Sequence, residues 1–303
     1  MVATVTSYTD LRNRAATGMG LDGVVRVSAG GHYGTGALLF DGRAVLTAAH
    51  LFSSGSTSGS VFFETVQGRQ SITFSKLVVH PGYDTSSNKD LALLWLSASA
   101  PIGADRYQPY RQTNEIGQSY TLVGYGNPGT GAAGVYSGEW AEPIRQQASN
   151  VFDADMARLK QVYGSALGWT PLAGSQLVAD FDNGLAAQDA LGQFLGLREL
   201  GQAQTEGLLT PGDSGGPALM AGQLAGVASY SASLSLGGKS PDIDETGNST
   251  FGEIAAWQRV SFFQQWIDQS LRAAYPNAPA RPQDVQKQVA EGQSGTTYAY
   301  FLV

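Results

Sequence analysis

The sequence predicts an all-β protein, and three observations lead to that prediction. Charged residues make up only 14% of the chain, and its 303 residues include 39 glycines and 12 prolines. The apolar segments are short, about four to eight residues, which is the usual length of a strand. Turn-forming residues separate these segments at regular intervals. A hydrophobic content of 42% is enough to bury one large core or two moderate ones.

The chain begins with a polar segment, and strands follow it. Residues 7–17 have weak helical character, and we expect 1–22 to be a lead-in. From Gly23 the apolar runs have hairpin spacing, with strands expected at 24–27, 34–40 and 43–46.

Asp90 opens an almost wholly apolar strand at 91–96, a pattern that predicts burial on both faces. A carboxylate at the buried end of such a strand is costly unless it is paired. An imidazole N–H would satisfy it and would at the same time fix the tautomer of the imidazole. The alternative is an aspartate that caps the strand in a turn.

A glycine-rich turn at 212–217, with the sequence GDSGGP, exposes the hydroxyl of Ser214. Glycine and proline disfavour helix and central strand there. The backbone N–H groups of Gly212 and Ser214 can converge on one point and stabilise an oxyanion. Serine alone is a weak nucleophile, so this interpretation requires a general base and a group that orients the base.

The positions of the three histidines limit the choice of base. His32, His50 and His80 all precede Ser214. The G-x-S-x-G turn of α/β-hydrolases is followed by its histidine, so that fold is excluded here. His80 precedes Pro-Gly-Tyr and is interpreted as structural, and His32 lies in a glycine-rich turn with no sharper interpretation.

Three motifs, LTAAH ending at His50, DLALL beginning at Asp90 and GDSGGP around Ser214, occur in this order. In this the chain resembles the trypsin/chymotrypsin family of serine endopeptidases, of the disulfide-free bacterial type. The resemblance implies a catalytic triad of His50, Asp90 and Ser214, with an oxyanion hole formed by Gly212 and Ser214.

The same resemblance implies two six-stranded antiparallel β-barrels. The first barrel is expected at 23–118 and the second at 119–274. An insertion at about 127–204 includes an amphipathic helix within 153–167, and a C-terminal helix lies within 251–271. Residues 275–303 are either an extension of the protease or the start of a following domain, because the tail resembles the opening of a Calx-β repeat.

Specificity is also inferred from the resemblance. Leu208, six residues before the nucleophile, corresponds to the floor of the primary pocket. The wall along the bound peptide corresponds to Ser229, Tyr230 and Ser231, and Ala255 occupies a second wall position. Leucine carries no charge that would select Lys or Arg, and side chains at the wall positions make the pocket shallower. We therefore expect small or medium apolar residues before the scissile bond.

Activation is expected to differ from that of zymogen-type members, in which a cleaved amino terminus pairs with the aspartate beside the nucleophile. No Ile-Val-Gly-Gly-like run precedes Val24 here. Asp213 then needs another partner, because an unpaired buried carboxylate is costly. The candidates are a backbone N–H or an arginine, namely Arg12, Arg14 or Arg43.

Charge and composition limit the other functions. A net charge of −7 and a pI near 4.9 argue against nucleic acid as a partner. No apolar run reaches the length of a membrane span, and the lack of cysteine excludes disulfides and argues against a zinc site. The expected partner is a peptide or protein substrate. The resemblance implies a secreted protein, although the first residues lack the pattern of a signal peptide.

Two alternatives remain open. A protease-like module without activity could bind a partner in the same groove, although such proteins usually lose a triad residue. No cofactor is expected, but Asp180, Asp182, Asn183 and Asp189 could bind a structural calcium ion through oxygen. The spacing of these four does not match a known calcium loop, and the alternative is that they are solvated turn acids.

Overall fold

Strands make up most of the regular structure in the computed structural model, which describes residues 2–84, 88–136 and 142–275. The all-β prediction is confirmed. The chain starts with β1 (Ala3–Thr4) and a short 3-10 helix (Leu11–Asn13). Residues 2–22 are therefore a folded part of the molecule, and Val2 and Ala3 are completely buried.

The first barrel is closed, as predicted. Its strand order is β2-β3-β4-β7-β6-β5, and every neighbouring pair is antiparallel. Alternating side chains of these strands fill its interior, which is lined mostly by valine, leucine and phenylalanine. The strands are β2 (Val24–Ala29), β3 (His32–Leu38), β4 (Ala44–Thr47), β5 (Gly59–Thr65), β6 (Gly68–Val79) and β7 (Ala92–Leu96).

The second barrel is a half-barrel, so the predicted double-barrel fold is confirmed with one barrel open. A seven-stranded sheet has the order β11-β8-β15-β16-β17-β13-β12, and a four-stranded sheet has the order β10-β9-β1-β14. The strands are β8 (Ser119–Gly124), β9 (Gly129–Thr130), β10 (Gly134–Val135), β11 (Gln146–Val151), β12 (Ala154–Asp155), β13 (Gln176–Asp180), β14 (Gly207–Leu208), β15 (Pro217–Met220), β16 (Gln223–Ala232) and β17 (Ile254–Arg259).

Three α-helices complete the fold: α1 (Met156–Tyr163), α2 (Ala190–Leu195) and α3 (Val260–Ala274). Short 3-10 helices lie at Ala49–Phe52, Gly164–Ala166 and Ala203–Thr205. Helix α1 confirms the predicted insertion helix, because its apolar residues at spacings of three and four are buried. None of the helices in the described ranges has the length and apolar character needed to cross a bilayer.

Helix α3 confirms the predicted C-terminal helix and packs at the seam of the barrels. Its buried face belongs to one apolar cluster with residues from both barrels, among them Leu46 and Leu93 of the first and Val227 of the second. Burial of this face joins the two barrels. The tail from 276 onwards, which includes the predicted Calx-β resemblance, lies outside the described residues.

Candidate active site

His50 lies in the 3-10 helix that follows strand β4. Strand β4 pairs with β7, with Thr47 opposite Ala92, so the residues just after β4 and just before β7 are neighbours. This register brings His50 and Asp90 together. The Nδ1 atom of His50 lies 2.7 Å from Oδ2 of Asp90, and the backbone N–H of His50 donates to Oδ1 at 2.8 Å.

Asp90 is completely buried, and it accepts hydrogen bonds from His50 and Ser229. Besides the two bonds from His50, it accepts a hydrogen bond of 2.6 Å from the hydroxyl of Ser229. A buried carboxylate with these bonds is compensated for its loss of water. It holds the imidazole by one nitrogen, so the other nitrogen, Nε2, is the one left for a reaction.

Ser214 lies in the tight turn before β15, and its glycine neighbours are required there. Gly212 and Gly215 have φ of 97° and 83°, a region that side chains rarely adopt. A Cβ at Gly215 would also lie 2.8 Å from the backbone nitrogen of Ala48, two residues before His50. The turn thus packs directly against the segment that carries His50, and the carbonyl of Ser214 accepts a hydrogen bond from Thr35 N at 2.8 Å.

Thr35, which sequence reasoning missed, links the two barrels at this point. Its buried hydroxyl donates to the carbonyl of Gly212 at 2.8 Å and accepts from the backbone N–H of Tyr125 at 3.0 Å. A threonine in a Gly-Thr-Gly strand segment carried no signal of this role, because its partners are distant in sequence.

The predicted oxyanion-hole donors belong to peptide groups whose orientations are fixed. The carbonyl of Pro211 accepts from Asn127 N at 2.7 Å, which orients the peptide that carries the N–H of Gly212. In the described part of the chain, neither Gly212 N–H nor Ser214 N–H donates to a protein acceptor. Both donors are therefore available to a ligand.

Asp213 is buried, and its partners are local donors. Its carboxylate accepts from Gly126 N at 2.8 Å and from both the N–H and the hydroxyl of Thr210 at 2.9 Å. Burial raises the pKa of Asp213, while these hydrogen bonds oppose the shift. The expected backbone partner is thus present.

Of the two alternatives expected for Asp213, the backbone N–H is the one observed, and two of the three candidate arginines bind elsewhere. Arg12 pairs with Asp10, and Arg43 donates to the carbonyl of Leu96. The backbone of Arg14 forms an isolated β-bridge with Gln146.

The predicted wall residues lie together on β16 and β17. Ser231 pairs with Ala255 in the antiparallel register. Tyr230 donates to Gln176 at 2.7 Å and accepts from Trp169 at 3.2 Å. Ser229 directs its side chain to Asp90 rather than to the groove, a second role that sequence reasoning missed.

Leu208, the predicted pocket floor, lies in β14 and is completely buried. It shares one apolar cluster with Ala255, Trp257 and Phe251. The N-terminal strand β1 lies beside it, with Ala3 opposite Leu208. The surroundings of Leu208 are therefore apolar, as a pocket for uncharged side chains requires.

The other two histidines, His80 and His32, are not part of the candidate triad. His80 accepts from Gly82 N at 3.1 Å and packs against Phe263 and Trp266, in agreement with its structural interpretation. Burial, with the charge of Lys89, lowers the pKa of His80. His32 is exposed at the start of β3.

The model of the trypsin family matches residues 14–154. Among solved structures, neuropsin, a serine protease expressed in the limbic system of mouse brain, has a TM-score of 0.59 and 19% sequence identity. The match covers 86% of this chain and 98% of neuropsin. No curated protein matches the chain, and neither match supports the Calx-β resemblance of the tail.

Proposed function

Because this chain has the serine protease fold of the trypsin family, we propose that it is a serine endopeptidase with His50, Asp90 and Ser214 as its catalytic triad. The observation that carries the proposal is the buried Asp90 held by both the backbone and the Nδ1 of His50. The turn that carries Ser214 packs against Thr47 and Ala48, shortly before His50 in the chain.

In the proposed mechanism, Nδ1–H of His50 donates to Asp90 and Nε2 accepts the proton of Ser214. The oxygen of Ser214 forms a bond to the peptide carbonyl carbon, and the carbonyl oxygen becomes an oxyanion. The N–H groups of Gly212 and Ser214 stabilise that charge. His50 then gives its proton to the leaving amine, and water hydrolyses the acyl-enzyme by the same route in reverse.

The preference for small or medium apolar residues is part of the proposal. Leu208 and Ala255 offer no charge, and burying an unpaired Lys or Arg side chain in such a site is costly. We expect peptide substrates ending in Ala, Val or Leu before a chromogenic group to be cleaved at least about tenfold faster than the Arg substrate. A panel of such substrates, compared by kcat/KM, measures this. Faster turnover after Arg would refute the pocket assignment.

We also propose that the chain needs no zymogen-type cleavage near Gly23. Asp213 already has its donors, and residues before Gly23 are integral to the fold. Asp22 forms a buried ion pair with Arg145 at 2.6 Å, and both side chains are 1% exposed. Removal of one partner of such a pair leaves an uncompensated charge.

Deletion of residues 1–22 tests this point. The truncated protein is expected to lose about 3–5 kcal/mol of unfolding free energy from the unpaired Arg145 alone, and with it most of its peptidase activity. Chemical denaturation and peptide hydrolysis measure the two effects. An exposed substitution in the same segment, Leu11→Ser, is the control. A truncated protein more active than the parent would refute the proposal.

A further inference from the structure

A group of buried carboxylates lies where strand β13 ends. Asp180 is the last residue of β13, Asp182 follows it, and Asp189 is the N-cap residue of α2. Each offers a carboxylate oxygen within 4.8 Å of the other two. Their exposed fractions are 2%, 2% and 3%, so the alternative that they are solvated turn acids is wrong.

Asp182 is the member of the group that lacks partners. Asp180 accepts from Leu191 N at 2.7 Å, and Asp189 accepts from Gly192 N at 2.6 Å. In the described part of the chain, neither carboxylate oxygen of Asp182 has a hydrogen-bond partner. An ionised carboxylate buried without a partner is strongly disfavoured, and a bound cation is one of the few ways to compensate it.

Further acidic groups surround these three. Glu206 accepts from the backbone N–H of Asp182 at 2.7 Å, and Oδ2 of Asp153 is buried without a hydrogen-bond partner among the residues that the structure describes. Burial, with the repulsion of Asp180 and other neighbouring carboxylates, raises the pKa of Asp182 to about 10 and that of Asp153 to about 9. Burial also raises the pKa of Asp189, while the hydrogen bond from Gly192 N–H and the charge of the exposed Arg198 oppose this shift.

We propose that Asp180, Asp182 and Asp189 bind a calcium ion. Calcium–oxygen distances of about 2.3–2.6 Å place two ligands on opposite sides of one ion up to roughly 5 Å apart. The observed spacing of the oxygens fits within that limit. Magnesium prefers shorter distances and keeps most of its waters, so an all-carboxylate group enclosed by protein favours calcium.

Asn183, part of the calcium ligand set expected from the sequence, is not included. Its side-chain oxygen accepts from Leu185 N at 3.0 Å, and its amide donates to Gln188 at 3.1 Å. Asn183 thus stabilises the turn between the strand and α2. The sequence identified the aspartates as possible ligands, but it did not show which of their carboxylates lie close together.

The ion would connect the end of β13 to the start of α2. Glu206, whose carboxylate holds the Asp182 amide, directly precedes β14 and the buried Leu208. Calcium would therefore stabilise the insertion and the strand that carries the proposed pocket floor. This inference does not depend on peptidase activity.

The test uses the full chain with Ser214→Ala, which prevents self-digestion. After removal of divalent ions with EDTA, thermal unfolding is measured with calcium chloride, with magnesium chloride and with neither. Calcium is expected to raise Tm by several degrees, about 2–8 °C, because it binds only the folded state. Magnesium at the same concentration should have little effect.

Asp182→Asn is expected to lose this calcium shift while keeping, in EDTA, a Tm equal to or above that of the parent. The substitution replaces a buried carboxyl group whose oxygens have no hydrogen-bond partner among the described residues, so the ion-free protein gains or keeps stability. Glu142→Gln, at an exposed carboxylate outside both this group and loop 242–253, is the matched control and should keep the full shift. Isothermal titration calorimetry should show one equivalent of calcium fewer in Asp182→Asn than in the control.

Three outcomes would overturn the proposal. One is a parent protein whose Tm does not respond to calcium. Another is an Asp182→Asn variant destabilised equally with calcium and with EDTA, which indicates a purely structural role. The third is a shift that survives Asp182→Asn and disappears in Glu253→Gln. That result would place the ion on loop 242–253, whose D-x-D-x-x-G-x5-E spacing also resembles a calcium loop.

Discussion

Replacement of Ser214 by alanine is expected to reduce kcat for peptide hydrolysis by about a millionfold, because the members of a triad act as a unit. The substitution removes the nucleophile and leaves the turn intact, since the φ of Gly212 and Gly215 and the packing against Ala48 do not involve the side chain. Initial rates with a chromogenic peptide measure the loss.

The matched control is Ser71→Ala, which removes an exposed serine hydroxyl on strand β6. It should leave kcat unchanged. Thermal unfolding of both variants separates loss of chemistry from loss of fold. Near-parental hydrolysis by Ser214→Ala would show that another group attacks the peptide.

The second large effect is expected for Asp90→Asn, which should lower kcat about ten-thousandfold with little change in KM. The carboxylate accepts from His50 at two points, and an amide in its place presents a donor to the imidazole. The imidazole then favours the wrong tautomer, and the imidazolium formed in the reaction loses its counter-charge.

Ser229→Ala provides the comparison for Asp90→Asn. It deletes one neutral donor to the carboxylate, a bond worth about 1.5–3 kcal/mol, so a loss of roughly ten- to a hundredfold is expected. Ser229 is a positioning residue, because it acts through Asp90. If Asp90→Asn were no worse than Ser229→Ala, the orienting role of the carboxylate would be wrong.

The triad candidates could be found from the sequence because each is marked by local chemistry. A carboxylate at the start of the apolar strand 91–96 needed a partner, and the glycines around Ser214 predicted a turn with an exposed hydroxyl. The apolar spacing in α1 and α3 likewise located both helices, because burial of one helix face leaves a period in the sequence.

Other features could not be found, because they depend on pairing between distant segments. The short strand β1 has two residues, too few for a pattern, and it is a strand because it pairs with β9 on one side and with β14 on the other. The link made by Thr35 between the barrels and the contact of Ser229 with Asp90 join residues far apart in the chain. Opening of the second barrel likewise reflects how its strands associate and not their composition.

The central claim is that Ser214 is a nucleophile activated by His50, and labelling with a fluorophosphonate probe tests it most directly. The parent protein should gain the mass of one adduct, and peptide mapping should place it on Ser214. His50→Ala should label far more slowly, and a protease-like binding module without activity would not label at all. An intact parent protein that stays unlabelled, or an adduct on any other residue, would contradict the claim.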